Sequence, residues 1–491
     1  MVLINELIGN FGKYHYWLCF LIFMSKFGVA YHQMAIIFLA PPPHYQCPRN
    51  ETCCDDPIYD LSVFTKTIVT EWNLICENIW LKDLTQMLFQ FGVLMGSFIF
   101  GVASDKYGRK PTLIIAVVLE VFTGLISSFL PDFWSFTIIR MFLGVAVGGI
   151  MVIGFVMVME YVGNESRDVV SALYHVPFTI GHMTLAVFGY FIRDYMYFQL
   201  AISLSCIFLL IYICVLPETP RWLLATGKTF DAIILTTKIA KINNLPTEEI
   251  QRKIELYQME HFSKRQNKAT VLDLFRAPNL RRNILIMSFT WFVSGYCYYG
   301  ISHYISHLTG DIFINVIASG GVCLCSCIIV IPLMKFMTRK SMVVIGNILC
   351  SISLLIIAFV PEGKVSVVLG CFGVLFCYIT FIIVYLYCSE MFPTVVRNAA
   401  VGFTSVMARI GAMIAPFVAD LRPYGQWCAP VAFGVLPLLA ALFCLLLPET
   451  KDCELMMTIE EGETFSKEQR LKSQTFSREL SFIRRFTMTG N

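Results

Sequence analysis

The chain has 491 residues, of which 57% are hydrophobic and only 14% charged, with a net charge of +3 and a mean hydropathy of +0.68. A soluble globular chain carries about 25% charged residues, so these few charges cannot cover a water-soluble surface of this size. Composition excludes a soluble globule and points to an integral membrane protein, whose first partner is the lipid bilayer and for which no nucleic-acid partner is expected.

A bilayer core takes roughly 20 apolar residues per helix. Such runs recur at 17–40, 84–104, 112–130, 134–158, 169–192, 196–216, 284–307, 312–334, 341–360, 365–388, 396–419 and 427–447. Twelve is an even number, so both termini should share one side. The first run is too long for a signal-peptide core and lacks a small-residue cleavage pattern, so it is expected to stay as helix 1. Orientation follows the basic residues of the short loops. Lys106, Arg109 and Lys110 lie between helices 2 and 3, and Lys335, Arg339 and Lys340 between helices 8 and 9. The 3–4 loop has no Lys or Arg, and the 9–10 loop only Lys364. Both termini are therefore expected in the cytoplasm.

The loop at 41–83, between helices 1 and 2, is then extracellular. It holds Cys47, Cys53, Cys54 and Cys76, while most of the 18 cysteines lie in apolar helices, where Cys is a small hydrophobe. Disulfides persist outside the cell, and two bridges are expected among these four, with three pairings open. Asn50-Glu51-Thr52 is a glycosylation sequon on the same side; Asn164-Glu165-Ser166 faces the cytoplasm and should be unused. Sequon and cysteines favour a secretory-pathway route and a multi-pass protein of the plasma membrane.

Residues 217–283 form the longest segment between apolar runs. From 218 onward it carries 12 Lys/Arg against 7 Asp/Glu, a cytoplasmic bias. Its stretch 247–262 is amphipathic and predicts a helix along the inner membrane face. The reading is thus an N-terminal six-helix bundle at 1–216, a linker at 217–283, a second six-helix bundle at 284–450 and a charged cytoplasmic tail at 451–491. The halves repeat. Glu160 precedes Arg167 by seven residues, as Glu390 precedes Arg397; LPET at 216–219 recurs at 447–450; Arg109-Lys110 recurs as Arg339-Lys340. Offsets of 230 to 231 indicate duplication, and parallel repeats of this kind place a substrate site at their interface near the bilayer midplane.

The 2–3 loop reads GVASDKYGRK (101–110). Its glycines allow close approach and a tight turn, and Asp105 with Arg109 forms a charged cluster suited to holding two bundles in one state and releasing them in another. A plain positive-inside loop accounts for the basic residues but not for Asp105 with both glycines. This segment resembles the loop signature of the major facilitator superfamily. EWNLIC (71–76), PETPRWLLATGK (217–228), WFVSGYCYYG (291–300), SEMFPTVVRN (389–398) and LPETK (447–451) are similar to its organic ion branch of cation, anion and carnitine carriers. The resemblance implies an all-α fold of twelve membrane helices in two pseudo-symmetric bundles, working by alternating access as a monomer. It also implies that Glu160/Arg167 and Glu390/Arg397, with Asp105 and Arg109, gate the cytoplasmic side; a static interfacial pair is the plainer alternative. The chain departs from the pattern at Lys335, where an acidic residue is expected, and in a shorter, cysteine-poorer extracellular loop.

Aromatic residues in membrane helices are commonly packing or interface anchors. Trp291 and Tyr298 share a helix face, however, and the resemblance places them on the central cavity; Tyr299 and Tyr385 are further candidates to bind substrate there. Such walls suit amphipathic ions, with cation–π contact available to an ammonium. Four ionisable residues other than histidine lie deep in the runs. Arg140 is expected to snorkel outward, and Glu120 to pair inside its bundle. Lys26 and Arg409 sit roughly 14–20 Å from the cytoplasmic ends of their helices at about 1.5 Å per residue, where a cation needs water, a counter-ion or a substrate. In the resembled branch, arginine at the Arg409 position accompanies anion and carnitine carriers and an acidic residue accompanies cation carriers. Arg409 is therefore expected to hold a carboxylate, with Lys26, unless it pairs with Glu120 or a helix end. His175, His182, His303 and His307 are expected to be packing residues, and their spacing suggests no metal site.

These residues predict a carrier of a small organic ion, with carboxylate-bearing anions or zwitterions (carnitine-like or amino-acid-derived) first. An organic cation carrier is the alternative, and a transporter-like sensor without net flux a further one. No nucleophile–base pair, cofactor loop or metal cluster is legible, so neither an enzyme nor a cofactor is expected.

Overall fold

The computed structural model describes residues 2–465 apart from 42–44, 48–52, 55–56, 164–165, 263–270, 307, 309, 362, 394–395, 422–424, 452, 454–455 and 457–458. The sequons at Asn50 and Asn164, and His307, fall outside the described residues.

Among the described residues, twelve helices follow the apolar runs. In the first half they are helix 1 (Lys13–Met34, continued by Ile36–Leu39), helix 2 (Trp80–Tyr107), helix 3 (Arg109–Ser127), helix 4 (Phe133–Tyr161), helix 5 (Val176–Phe191) and helix 6 (Tyr195–Ser205, extended by turns to Val215). The second half has helix 7 (Pro278–Ser306), helix 8 (Ile312–Phe336), helix 9 (Arg339–Ile357), helix 10 (Lys364–Met391), helix 11 (Arg397–Ala419) and helix 12 (Cys428–Cys444). Ten of these segments are long and apolar enough to cross a membrane by themselves. Helix 5 falls short because Pro177, which has no backbone N–H to donate, separates it from the preceding turn Arg167–Leu173. Helix 12 falls short because it has 17 residues.

Each half packs as its own bundle. Helices 2 and 4, 3 and 4, and 1 and 5 pair in the first; helices 7 and 11, 9 and 10, and 9 and 12 pair in the second. The bundles meet chiefly through helix 2 against helix 11 and helix 5 against helix 8. At the helix 7–11 crossing a Cβ on Gly295 would strike the Ala408 carbonyl, and one on Gly411 would strike that of Phe292. Two glycines thus let these backbones touch, and they flank Arg409.

Outside the membrane, strands Tyr45–Gln46 and Ile58–Tyr59 pair antiparallel with Tyr45 opposite Tyr59. The four loop cysteines form bridges Cys47–Cys54 and Cys53–Cys76. On the opposite face, the stretch read as amphipathic contains the helix Ile250–Phe262, and the first helix of the chain, Val2–Ile8, packs on Thr229–Ile242.

Candidate functional site between the bundles

Lys26 on helix 1 and Arg409 on helix 11 approach the interface from opposite bundles. Both are buried, with 4% and 6% of their surface exposed, so neither can be neutralised by bulk water. The Lys26 ammonium lies 4.0 Å from the Tyr174 ring centroid. Arg409 donates through Nη1 to the Tyr299 hydroxyl at 3.4 Å and lies 3.7 Å through Nη2 from the Met151 sulfur of the other bundle. The two cations are close enough to repel one another. Among the described residues, neither is ion-paired with a carboxylate.

Aromatic side chains wall this pair. Trp291 packs on Tyr385 with centroids 4.2 Å apart, and Tyr298 on Tyr378 at 5.1 Å and Phe381 at 6.1 Å. The first bundle contributes His175, 6.1 Å from Tyr378 and 6.2 Å from Tyr385, and Phe155, 5.9 Å from Tyr385. Trp291, Tyr298, Tyr299 and Tyr385 thus lie in one cluster with the two cations. Tyr299 also accepts a hydrogen bond from Gln33 Nε2 at 2.6 Å, tying helix 1 to helix 7. On the outer side of that bond the cavity lined by Gln33, Tyr299 and His303 measures only about 10 Å³.

Further out, the bundles are sealed by an ion pair between Lys82 on helix 2 and Asp420 after helix 11, and by Phe38 stacked on Phe313 at 5.7 Å. On the side opposite the disulfide-bridged loop, the ion pairs among the described residues stay within one bundle. Arg109 binds Glu160 at 2.8 Å and Asp105 at 2.5 Å; Arg339 binds Glu390 at 3.3 Å. Among the described residues, the ion pair that bridges the two bundles therefore lies on the outer side.

The repeated charges on that side are joined differently from their sequence spacing. Glu160 is held by Arg109 and Thr219, and Glu390 by Arg339 and Thr450. Arg167 donates instead to the Met159 carbonyl at 3.4 Å, and Arg397 to that of Phe392 at 3.4 Å. Glu218 and Glu449, the acids of the two LPET copies, cap the next motif. Glu218 accepts from the backbone N–H groups of Arg109 (3.0 Å) and Lys110 (3.1 Å), and Glu449 from those of Arg339 (3.0 Å) and Lys340 (3.2 Å). A carboxylate at a helix start meets unpaired N–H groups and the positive end of the helix dipole. Burial pushes the Glu218 carboxyl up, while the backbone N–H groups of Thr219, Lys110 and Arg109 pull it back. The repeated LPET was the sequence signal for this cap, though its partner was not legible.

Two expectations change. Arg140 does not snorkel: it is fully buried, stacks over Phe89 (5.0 Å) and Phe136 (5.8 Å), and its guanidinium nitrogens have no hydrogen-bond partner among the described residues. Helix 4 is covered there by helix 2, which leaves the side chain no route to the surface. Among the described residues, Glu120 pairs with neither Arg409 nor another Lys or Arg; it lies among helices 1, 3 and 6, beside His32 and Cys206. Gln33, His175 and the Lys82–Asp420 pair were not legible, because a cross-bundle partner leaves no local spacing to read.

Residues 73–462 match the family model described as Sugar (and other) transporter. The chain is 32% identical over 514 residues to an organic cation transporter protein of Drosophila melanogaster, covering 94% of each chain. It is 31% identical over 411 residues to a beta-alanine transporter of the same organism, covering 82% of this chain and 68% of the other. In three dimensions it is similar to the inward open xylose transporter XylE of E. coli, with a TM-score of 0.68 at 17% identity, over 92% of this chain and 99% of that one.

Proposed function

The chain belongs to the sugar (and other) transporter family, with the major facilitator fold and organic ion transporters among its relatives, and within that family we propose that it carries carboxylate-bearing anions or zwitterions by alternating access. It is a multi-pass membrane protein and not an enzyme; its ligand is a small organic ion. The observation carrying the substrate class is Arg409, a buried guanidinium facing a second buried cation, Lys26, without a carboxylate partner among the described residues. A buried charge is costly until paired, and a planar guanidinium suits a carboxylate in bidentate geometry. In this reading Arg409, with Lys26, holds the carboxylate, and Trp291, Tyr298, Tyr299 and Tyr385 enclose the remainder. A zwitterion's ammonium would meet the aromatic faces.

The gate reading follows the same geometry. Lys82–Asp420 and Phe38–Phe313 close the outer side. Arg167 and Arg397 repel across the inner side, leaving both positioned to exchange backbone carbonyls for Glu160 and Glu390 when it closes. The working unit is a monomer in the plasma membrane with both termini cytoplasmic.

Arg409→Ala tests the substrate class. A hydrogen bond to a charged group is worth about 1.5–3 kcal/mol, so uptake of a small carboxylate by membrane vesicles at subsaturating concentration should fall roughly ten- to hundredfold. Unchanged uptake of a carboxylate substrate sinks the role. The second reading, an organic cation carrier, draws on the aromatic wall and gains if tetraalkylammonium ions, and not carboxylates, compete with transport.

A further inference from the structure

Away from the substrate interface, inside the first bundle, three side chains of different chemistry converge. His32 of helix 1, Glu120 of helix 3 and Cys206 at the end of helix 6 each direct one ligand atom into a volume where all three lie within 4.8 Å of one another. His32 and Glu120 are fully buried and Cys206 is 1% exposed. His32 Nε2 and the Cys206 sulfur are 4.0 Å apart.

The carboxylate is the unusual member. Both Glu120 oxygens and His32 Nδ1 have no hydrogen-bond partner among the described residues. A charged carboxylate buried in that state costs several kcal/mol. Either a proton or a cation must neutralise it, and the nearby donors select between cations. Mg²⁺ and Ca²⁺ take hard oxygen ligands, whereas imidazole, carboxylate and thiolate together are the ligand set of zinc and its neighbours. One carboxylate and one thiolate would balance a divalent ion, and three protein ligands leave a fourth position for water, as in open zinc sites.

Gly28, one turn before His32, leaves this volume open. A Cβ there would come within 2.9 Å of both the Glu120 carboxylate and the Cys206 sulfur. The same glycine and Cys206 line a cavity of about 240 Å³ between helices 1 and 6, bordered by Met24, Phe27, Tyr31 and Phe208. That cavity leaves room for a water beside the Cys206 sulfur. Arg140 faces His32 from helix 4 and opposes a cation, so occupancy depends on both anionic ligands being present.

We propose that His32, Glu120 and Cys206 form a binding site for one borderline divalent cation of the zinc class, separate from the substrate site. Binding replaces the thiol and carboxyl protons with the ion and releases them to solvent. It fastens helix 1, which also carries Lys26 and Gln33, to helices 3 and 6.

Co²⁺ reports the site on the full chain in lipid nanodiscs. One equivalent should give a thiolate-to-cobalt charge-transfer band and a tetrahedral visible spectrum, displaced by Zn²⁺. Cys206→Ser should abolish the band, and Glu120→Gln should weaken affinity by more than the roughly 10–100-fold typical of losing an outer-shell partner. A Cys371→Ser control should keep both signals. A variant-free measurement covers any misfolding: X-ray absorption at the zinc edge of the wild-type chain with one equivalent of Zn²⁺ should show one sulfur among nitrogen and oxygen ligands. Absence of the band in the wild-type chain, its persistence in Cys206→Ser, or a zinc shell without sulfur each overturns the site. None of these readouts needs transport, so failure of the substrate assignment would leave them unaffected.

Discussion

The two latches at the helix 2–3 and helix 8–9 turns began as copies and have diverged, and their difference separates what is structural in the motif from what is adjustable. Each has an arginine at the helix start (Arg109, Arg339), an acid at the end of the fourth helix of its half (Glu160, Glu390) and a capping glutamate after the sixth (Glu218, Glu449). The first latch adds Asp105, 2.5 Å from Arg109, and Gly108 at φ +113°. A Cβ at Gly108 would lie 2.5 Å from Glu218 Oε2, so the glycine provides both the backbone angle and the space. In the second, Lys335 and Thr338 stand at these places. Arg339 turns to the Met334 carbonyl at 3.2 Å, and Thr338 caps helix 9 through its side chain. The Arg–Glu distance grows from 2.8 to 3.3 Å. The arginine, the acid and the cap persist; the acidic partner and the glycine turn do not.

The largest expected effect comes from removing the arginines. Arg109 and Arg339 are both buried, and removing one partner of a buried pair costs about 3–5 kcal/mol. Arg109→Ala should lower the apparent melting temperature in detergent more than Arg339→Ala, because it leaves Glu160 without its arginine and also loses the pair with Asp105. Equal shifts would break the comparison. Next, Glu218→Gln and Glu449→Gln should each cost about 0.5–2 kcal/mol, the scale of a lost helix cap and its dipole interaction. Since both caps have the same geometry, melting shifts that differ widely would show that only one is used.

A smaller effect is expected from exchanging the diverged position. Lys335→Asp places an acid four residues before Arg339 and should raise stability by about 0.3–0.5 kcal/mol, while Asp105→Asn should lose a similar amount, its side chain being 76% exposed. The smallest effect is in pH. Burial holds the Glu218 carboxyl above its usual range. A carboxyl raised on folding contributes stability at acidic pH that is lost as pH rises through its folded value. Acidification from neutral should therefore stabilise the wild-type chain slightly more than Glu218→Gln, and parallel melting profiles would remove Glu218 as the titrating group.

Sequence periodicity and the 230-residue offset disclosed the twelve helices, the duplication and the latch arginines, because those features are written locally. The seven-residue spacing of Glu160 and Arg167 does not record the partner that Glu160 has in this structure. Glu160 reaches Arg109 instead, at a separation of 51 residues that only helix packing supplies. Arg409 was conspicuous as a lone charge in an apolar run, since hydrocarbon makes such a charge costly wherever it lies. Its neighbours Lys26, Tyr299 and Met151 come from three other helices, and no spacing along the chain records them. The same holds for His32, Glu120 and Cys206, three unremarkable residues until three helices bring them together. Apolar composition by itself determined that this chain lies in a bilayer and forms helices, because the backbone must satisfy its own hydrogen bonds there. Which charges face each other was decided only by tertiary structure, because in a helical bundle the partner of a buried charge lies on another helix.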